Sequence, residues 1–152
     1  MALNTEEFLQ TTTQEALDDH LEPWPAGEWL AQITDIAVSD FEFKKGDRIG
    51  ETGYRMIVKY EAQDAQVVEI CERDKVSVSD SILLDVTPDG NGLDFGKGKN
   101  IGLGRLRTAT GQNVPGQEWS PMMLKGQPVK VSIKHEIYED RPVARVKDVA
   151  AP

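Results

Sequence analysis

At 152 residues, with 39% hydrophobic and 28% charged residues, the chain has the length and balance of one globular domain with a real core. No apolar run approaches the roughly 18 residues of a membrane span, no signal peptide is legible in the first residues, and the single Cys71 excludes an internal disulfide framework and suits a reducing cytoplasm. The formal net charge of -9 is uneven: residues 1–40 hold nine acids and no Lys or Arg, while residues 96–152 hold five acids and ten bases.

Asn4 followed by Glu7 is a capping-box signature. Thr11, Thr12 and Thr13 oppose further helix, because β-branched side chains lose rotamer freedom there. Residues 1–22 therefore read as an acidic arm with at most a short helix, ended by Pro23 and Pro25. Residues 23–150 read as one β domain. Glu28–Val38 alternates as a first strand. Phe41–Gly53 reads as a polar, glycine-punctuated connection. In Tyr54–Ala62, a second strand, Tyr54, Met56, Val58 and Tyr60 share one face and Arg55, Ile57 and Lys59 the other. Val67–Thr87 reads as a long third strand, bent near Asp74–Lys75.

Pro88–Lys99 reads as loop. Asn100–Gly111 predicts a short helix, with Asn100 as its cap and Gly111 as its left-handed stop. Its Ile101, Leu103, Leu106 and Ala109 would face the core while Arg105 and Arg107 reach outward. Gln112–Gln127 is turn-rich. In Pro128–Glu139 the residues Val129, Val131, Ile133 and His135 alternate with Lys130, Ser132, Lys134 and Glu136, a fourth strand. Asp140–Pro142 turns the chain into a fifth, Val143–Val149. Five strands with a helix between the third and fourth is the order of a five-stranded OB-fold barrel. A different small β-barrel or sandwich fits the same order.

The stretch Asp94–Asn113, "DFGKGKNIGLGRLRTATGQN", gathers five glycines and four basic residues. A Walker A loop would need glycine at Asn91 or Leu93 and a Ser or Thr after the lysine, and a dinucleotide fingerprint would need glycine at Ile101 or Arg107. Both patterns fail, so a basic surface loop running into a helix is the better reading. His20, His135 and Cys71 match no zinc spacing, the acids Asp85, Asp89 and Asp94 miss the calcium-loop positions, and no nucleophile elbow occurs. No catalytic set, metal site or cofactor site is expected.

Three pieces carry a resemblance: Pro25–Trp29 ("PAGEW") leading into the first strand, Gly104–Arg107 ("GRLR") in the helix, and Leu124–Val131 ("LKGQPVKV") at the fourth strand. With the segments between them, Pro23–Val149 resembles small bacteriophage and prophage proteins encoded among replication and recombination functions, several of them OB-fold single-stranded DNA-binding proteins. The resemblance implies a non-catalytic role in replication or recombination in the host cytoplasm. Such proteins often end in an acidic, partner-recruiting tail. Here the chain ends "VKDVAAP" and the acidic segment is N-terminal, so replication or recombination partners are expected at the arm.

Single-strand binding requires a basic groove and flat side chains on which bases stack. Candidate stackers are Trp29, Phe41, Phe43, Tyr54, Tyr60, Phe95, Trp119 and Tyr138. Candidate phosphate contacts are Lys44, Lys45 and Arg48 in the first connection and Arg55 and Lys59 on the second strand. Arg73 and Lys75 follow on the third strand, Lys97 and Lys99 in the glycine-rich loop, and Lys130, Lys134, Arg141, Arg145 and Lys147 on the last two strands. The net acidity runs against a strong nucleic-acid binder. An arm that competes with DNA for the groove reconciles the two, and removing residues 1–22 is then expected to tighten binding. A phage structural protein, or a protein-binding β-barrel module without nucleic-acid binding, is the alternative. Self-association is left open.

Overall fold

Five strands carry the fold in the computed structural model, which describes residues 2–152. They are β1 (Gly27–Glu42), β2 (Thr52–Ala62), β3 (Ser77–Leu84), β4 (Pro128–Tyr138) and β5 (Arg141–Ala150). They form one antiparallel sheet in the order β3-β2-β1-β4-β5. The 16-residue β1 serves two partners. Gly27–Gln32 pairs with β4, and Ala31–Glu42 pairs with β2. A register shift between Ile33 and Asp35 lies where the partners change, as expected of a bulge that bends the strand.

The outermost strands, β3 and β5, bring Cα atoms within 8 Å of each other, so the sheet curls strongly. No hydrogen-bonded ladder joins them among the described residues, and the sheet is not closed. Inside the curl the alternating apolar positions meet: Ala31 and Ile33 of β1, Met56, Val58 and Tyr60 of β2, and Val129, Val131 and Ile133 of β4, all buried. Each fully buried aliphatic side chain contributes about 1.5–3 kcal/mol.

Among the described residues three short α-helices, α1 (Thr5–Leu9), α2 (Ala65–Cys71) and α3 (Ile101–Ala109), and a 3-10 turn at Pro121–Leu124 that buries Leu124 complete the chain. Helix α3 buries Leu103, Leu106 and Ala109 and lies against both β3 and β5. It ends as predicted. Gly111 is left-handed (φ 73°), its N–H donates to Thr108 O, and Gln112 N–H donates to Arg107 O, the two bonds of a Schellman motif. Its start differs from expectation, because Asn100 places no side-chain bond on the helix. Instead Asn100 stitches the preceding loop, exchanging hydrogen bonds with Asp85 and donating to Asp94 O.

The expected long third strand is corrected. Its first part is α2, started by Asp64, whose side chain accepts from Gln66 N–H at 2.9 Å, and stopped by left-handed Glu72. Val67 and Cys71, four residues apart, bury on one side of the helix. Arg73 and Lys75 consequently lie in the connection before β3 and not on the strand. The first hairpin is longer than expected, since Phe41 pairs with Gly53 and Glu42 with Thr52. The last turn is tighter: Glu139 and Asp140, both at positive φ, form a two-residue hairpin, and β5 already begins at Arg141.

Helix α1 is capped by Asn4, whose side chain accepts from Glu7 N–H, and buries nothing. The arm meets the domain from Asp19 onward. Arg141 pairs with the Asp19 carboxylate at 2.8 Å, Arg73 donates to Glu22 O, and a His135 ring nitrogen bonds Trp24 O. Trp24 itself is buried in the core.

Candidate nucleic-acid interface

Alternation along β2 points Met56, Val58 and Tyr60 into the core, so Arg55, Ile57 and Lys59 stand on the outer face. Register fixes their neighbours. Arg55 lies between Ser39 and Leu83, Ile57 between Ala37 and Ser81, and Lys59 between Asp35 and Ser79. Ser39, Ala37, Ser79 and Ser81 are small, Leu83 and Asp35 are the larger neighbours, and Arg55 and Lys59 remain exposed. Arg55 Nε donates to Ser39 Oγ at 3.1 Å, which holds the guanidinium on this face.

At the hairpin end the row runs into an aromatic cluster. Phe41 and Phe43, two residues apart, share the outer face, with ring centroids 4.8 Å apart. They sit over Gly53, where any Cβ would lie 2.6 Å from ring carbons of both. Arg48 stands 4.2 Å from the Phe43 centroid, and Arg55 stands 5.8 Å from that of Phe41. Arg48 also pairs with Glu51 at 2.9 Å, while Lys44 and Lys45 stand exposed at the tip and join no ion pair among the described residues. The outer face and the hairpin tip at its end therefore carry five of the anticipated cations, Lys44, Lys45, Arg48, Arg55 and Lys59, with two rings among them and the acids Asp35 and Glu51 beside them.

Other anticipated residues fall elsewhere. Tyr54 points to the inner face, opposite Asp40 and Leu84, because it shares the parity of Met56. Tyr60 is core. Arg73 is occupied by the arm at Glu22 O. On β4 and β5, Lys134 and Arg145 both reach Glu136, at 3.0 and 3.6 Å, and the Lys134 hydrogen bond holds the Glu136 carboxyl below its ordinary range. Lys130 is exposed on the same strand, and Tyr138 stands exposed at the hairpin turn. Lys75, Lys97 and Lys99 are exposed on connections, and Phe95 is 80% exposed.

The sequence reading left Phe41 and Phe43 in a loop, since the charges around them masked the strand. The aromatic-any-aromatic spacing followed by Gly53 was the available signal. Arg105 and Arg107, absent from the anticipated contacts, lie on α3, and Lys147, an anticipated contact, lies on β5.

No protein-family model matches the chain, and no curated protein matches it. Among the described residues, no three His, Cys, Asp or Glu side chains group so as to hold a metal ion, and no helix is long and apolar enough to cross a membrane. Burial pushes the Cys71 thiol above its ordinary value, and its Sγ lies 3.6 Å from Pro23 O.

Proposed function

We propose that the protein binds single-stranded DNA, without catalysis, on the outer face of β1, β2 and β3, and that it serves phage replication or recombination. One observation carries the reading: the row Lys59, Ile57, Arg55 that ends in the Phe41–Phe43–Arg48 cluster over Gly53. Phosphates would meet the cations and bases would stack on the rings, each stacked base adding about 1–3 kcal/mol. The strand order, with β1 shared by β2 and β4 and α3 against both outermost strands, supports an OB-type, partly open barrel as the scaffold. Strands two and three of such a barrel, and the loop joining its first two strands, are where oligonucleotides bind.

Fluorescence anisotropy with labelled oligo-dT at two salt concentrations tests this. The wild type is expected to bind, with affinity falling as salt rises. The double variant Arg55→Glu/Lys59→Glu is expected to lose at least about tenfold and to flatten the salt slope by about one or more. Wild type that binds no oligonucleotide at low salt ends the proposal. A second reading, a protein-binding module, draws on the arm, where Phe8, Leu9 and Leu17 stand 57%, 82% and 93% exposed among acids. It predicts no oligonucleotide binding at either salt.

A further inference from the structure

We infer that a second segment of the same single strand is held in the groove between α3 and the end of β5, a site separate from the β1–β3 face. The inference rests on the single-strand reading above. The groove has a volume of about 1020 Å³ and an apolar floor that includes Leu103 and Val149. Four cations line it: Lys99, Arg105, Arg107 and Lys147. Its two acids are each partly engaged, Asp94 accepting from Gly96 N–H and Asp148 from Val149 N–H. Among the described residues Lys99, Arg105 and Lys147 join no ion pair, and four cations against two acids leave the groove with a formal excess of positive charge in an acidic chain.

Two features fit a nucleic-acid strand. Phe95 borders the groove and is 80% exposed, a flat ring held in water where a base can cover it. Arg107 is fixed, 4.3 Å above the Trp119 ring and donating to Gln112 O, so its charge is presented at low entropic cost. Continuity of chain decides between a nucleic acid and an acidic peptide. The loop that bears Phe95 and Lys99 leaves β3 immediately after Leu84, one residue past the Leu83 that sits opposite Arg55. A strand lying along Lys59, Ile57 and Arg55 thus ends beside the end of β3 from which this loop departs, and the loop leads to the groove. A peptide matches the charge but has no reason to follow that path.

The test uses the full chain, oligo-dT of about 6 and about 20 nucleotides, one near the short end of single-OB sites and one beyond their long end, and two variants. The first is Arg105→Glu/Lys147→Glu; the second is Phe95→Ala, at a side chain too exposed to matter for folding. The short oligonucleotide is expected to bind both variants like wild type. The long one is expected to bind the double variant about tenfold more weakly, with a salt slope lower by about one to two, and the Phe95→Ala variant several-fold more weakly. Unchanged long-oligonucleotide affinity in both variants overturns the groove assignment and leaves the β1–β3 reading standing. Wild type that binds neither length overturns both. Unchanged affinity together with faster proteolysis of the N-terminal arm in the double variant overturns it in favour of the arm as occupant.

Discussion

A methyl group at Gly53 would press into the rings of Phe41 and Phe43 at 2.6 Å, far inside van der Waals contact. The sheet cannot yield there, because Gly53 pairs with Phe41 within the β1–β2 ladder, so the rings must move. Gly53→Ala is expected to cost about 1–3 kcal/mol, as overpacking does, and to weaken oligo-dT binding beyond what the stability loss explains. Urea melts beside anisotropy titrations check it, and unaltered binding would detach the rings from DNA. Asp80 shows a different residue-scale conflict. It faces inward from β3, opposite Val58, and burial pushes its carboxyl above the ordinary 3.8, against a hydrogen bond from Ser81 N–H. The folded state thus holds this proton more tightly than the unfolded chain does. Ionised Asp80 costs stability above its raised value, and the cost disappears as pH falls through that value toward 3.8. Asp80→Asn keeps the acceptor and is expected to raise the urea midpoint at pH 7, with the advantage shrinking near pH 4. An equal advantage at both pH values would point to packing instead.

Element by element, legibility followed the strength of local pattern. β2 and β4 were readable because strict alternation and burial agree, and the same alternation placed Arg55 and Lys59 on one face in advance. α2 was not readable, since Val67, Val68 and Ile70 are β-branched and suggest a strand. The Asp64 cap and the burial of Val67 with Cys71 outweigh that weak preference. Misreading it displaced Arg73 and Lys75 from the site. α3 was readable at its end, through Gly111, and ambiguous inside, where two glycines interrupt it. The structure separates them: a Cβ on Gly102 would stand 3.1 Å from Ile82 Cγ2, whereas one on Gly104 meets nothing within 4 Å. Gly104→Ala is therefore expected to stabilise the protein by about 0.5–1 kcal/mol, through helix propensity and a less entropic unfolded chain, and Gly102→Ala to gain less or lose. Thermal melts of the two variants decide it, and equal gains would contradict the close packing at Ile82.

At the scale of the whole molecule the question is how a chain of net charge -9 would hold a polyanion. Charge is segregated by sequence, and the fold keeps it so. The anchoring contacts of the arm are with Arg73, Cys71, His135 and Arg141, none of them on the outer face of β1–β3. Within the described residues 2–18 the hydrogen bonds are local, so on the proposed single-strand reading this segment would act through its field and not by filling the site. Removing residues 2–18 takes away Glu6, Glu7, Glu15 and Asp18, which moves the formal charge from -9 to -5, and leaves the Asp19–Arg141 tether in place. Like-charge repulsion over a Debye length of about 10 Å at 0.1 M salt then falls. The truncated protein is expected to bind oligo-dT roughly three- to tenfold more tightly at low salt. The difference should close toward 1 M, where screening shortens the reach to about 3 Å. A gain that persists at high salt would instead mean that the arm physically occupies the site, and affinity equal to or below that of the full chain at low salt would remove the arm from DNA binding altogether.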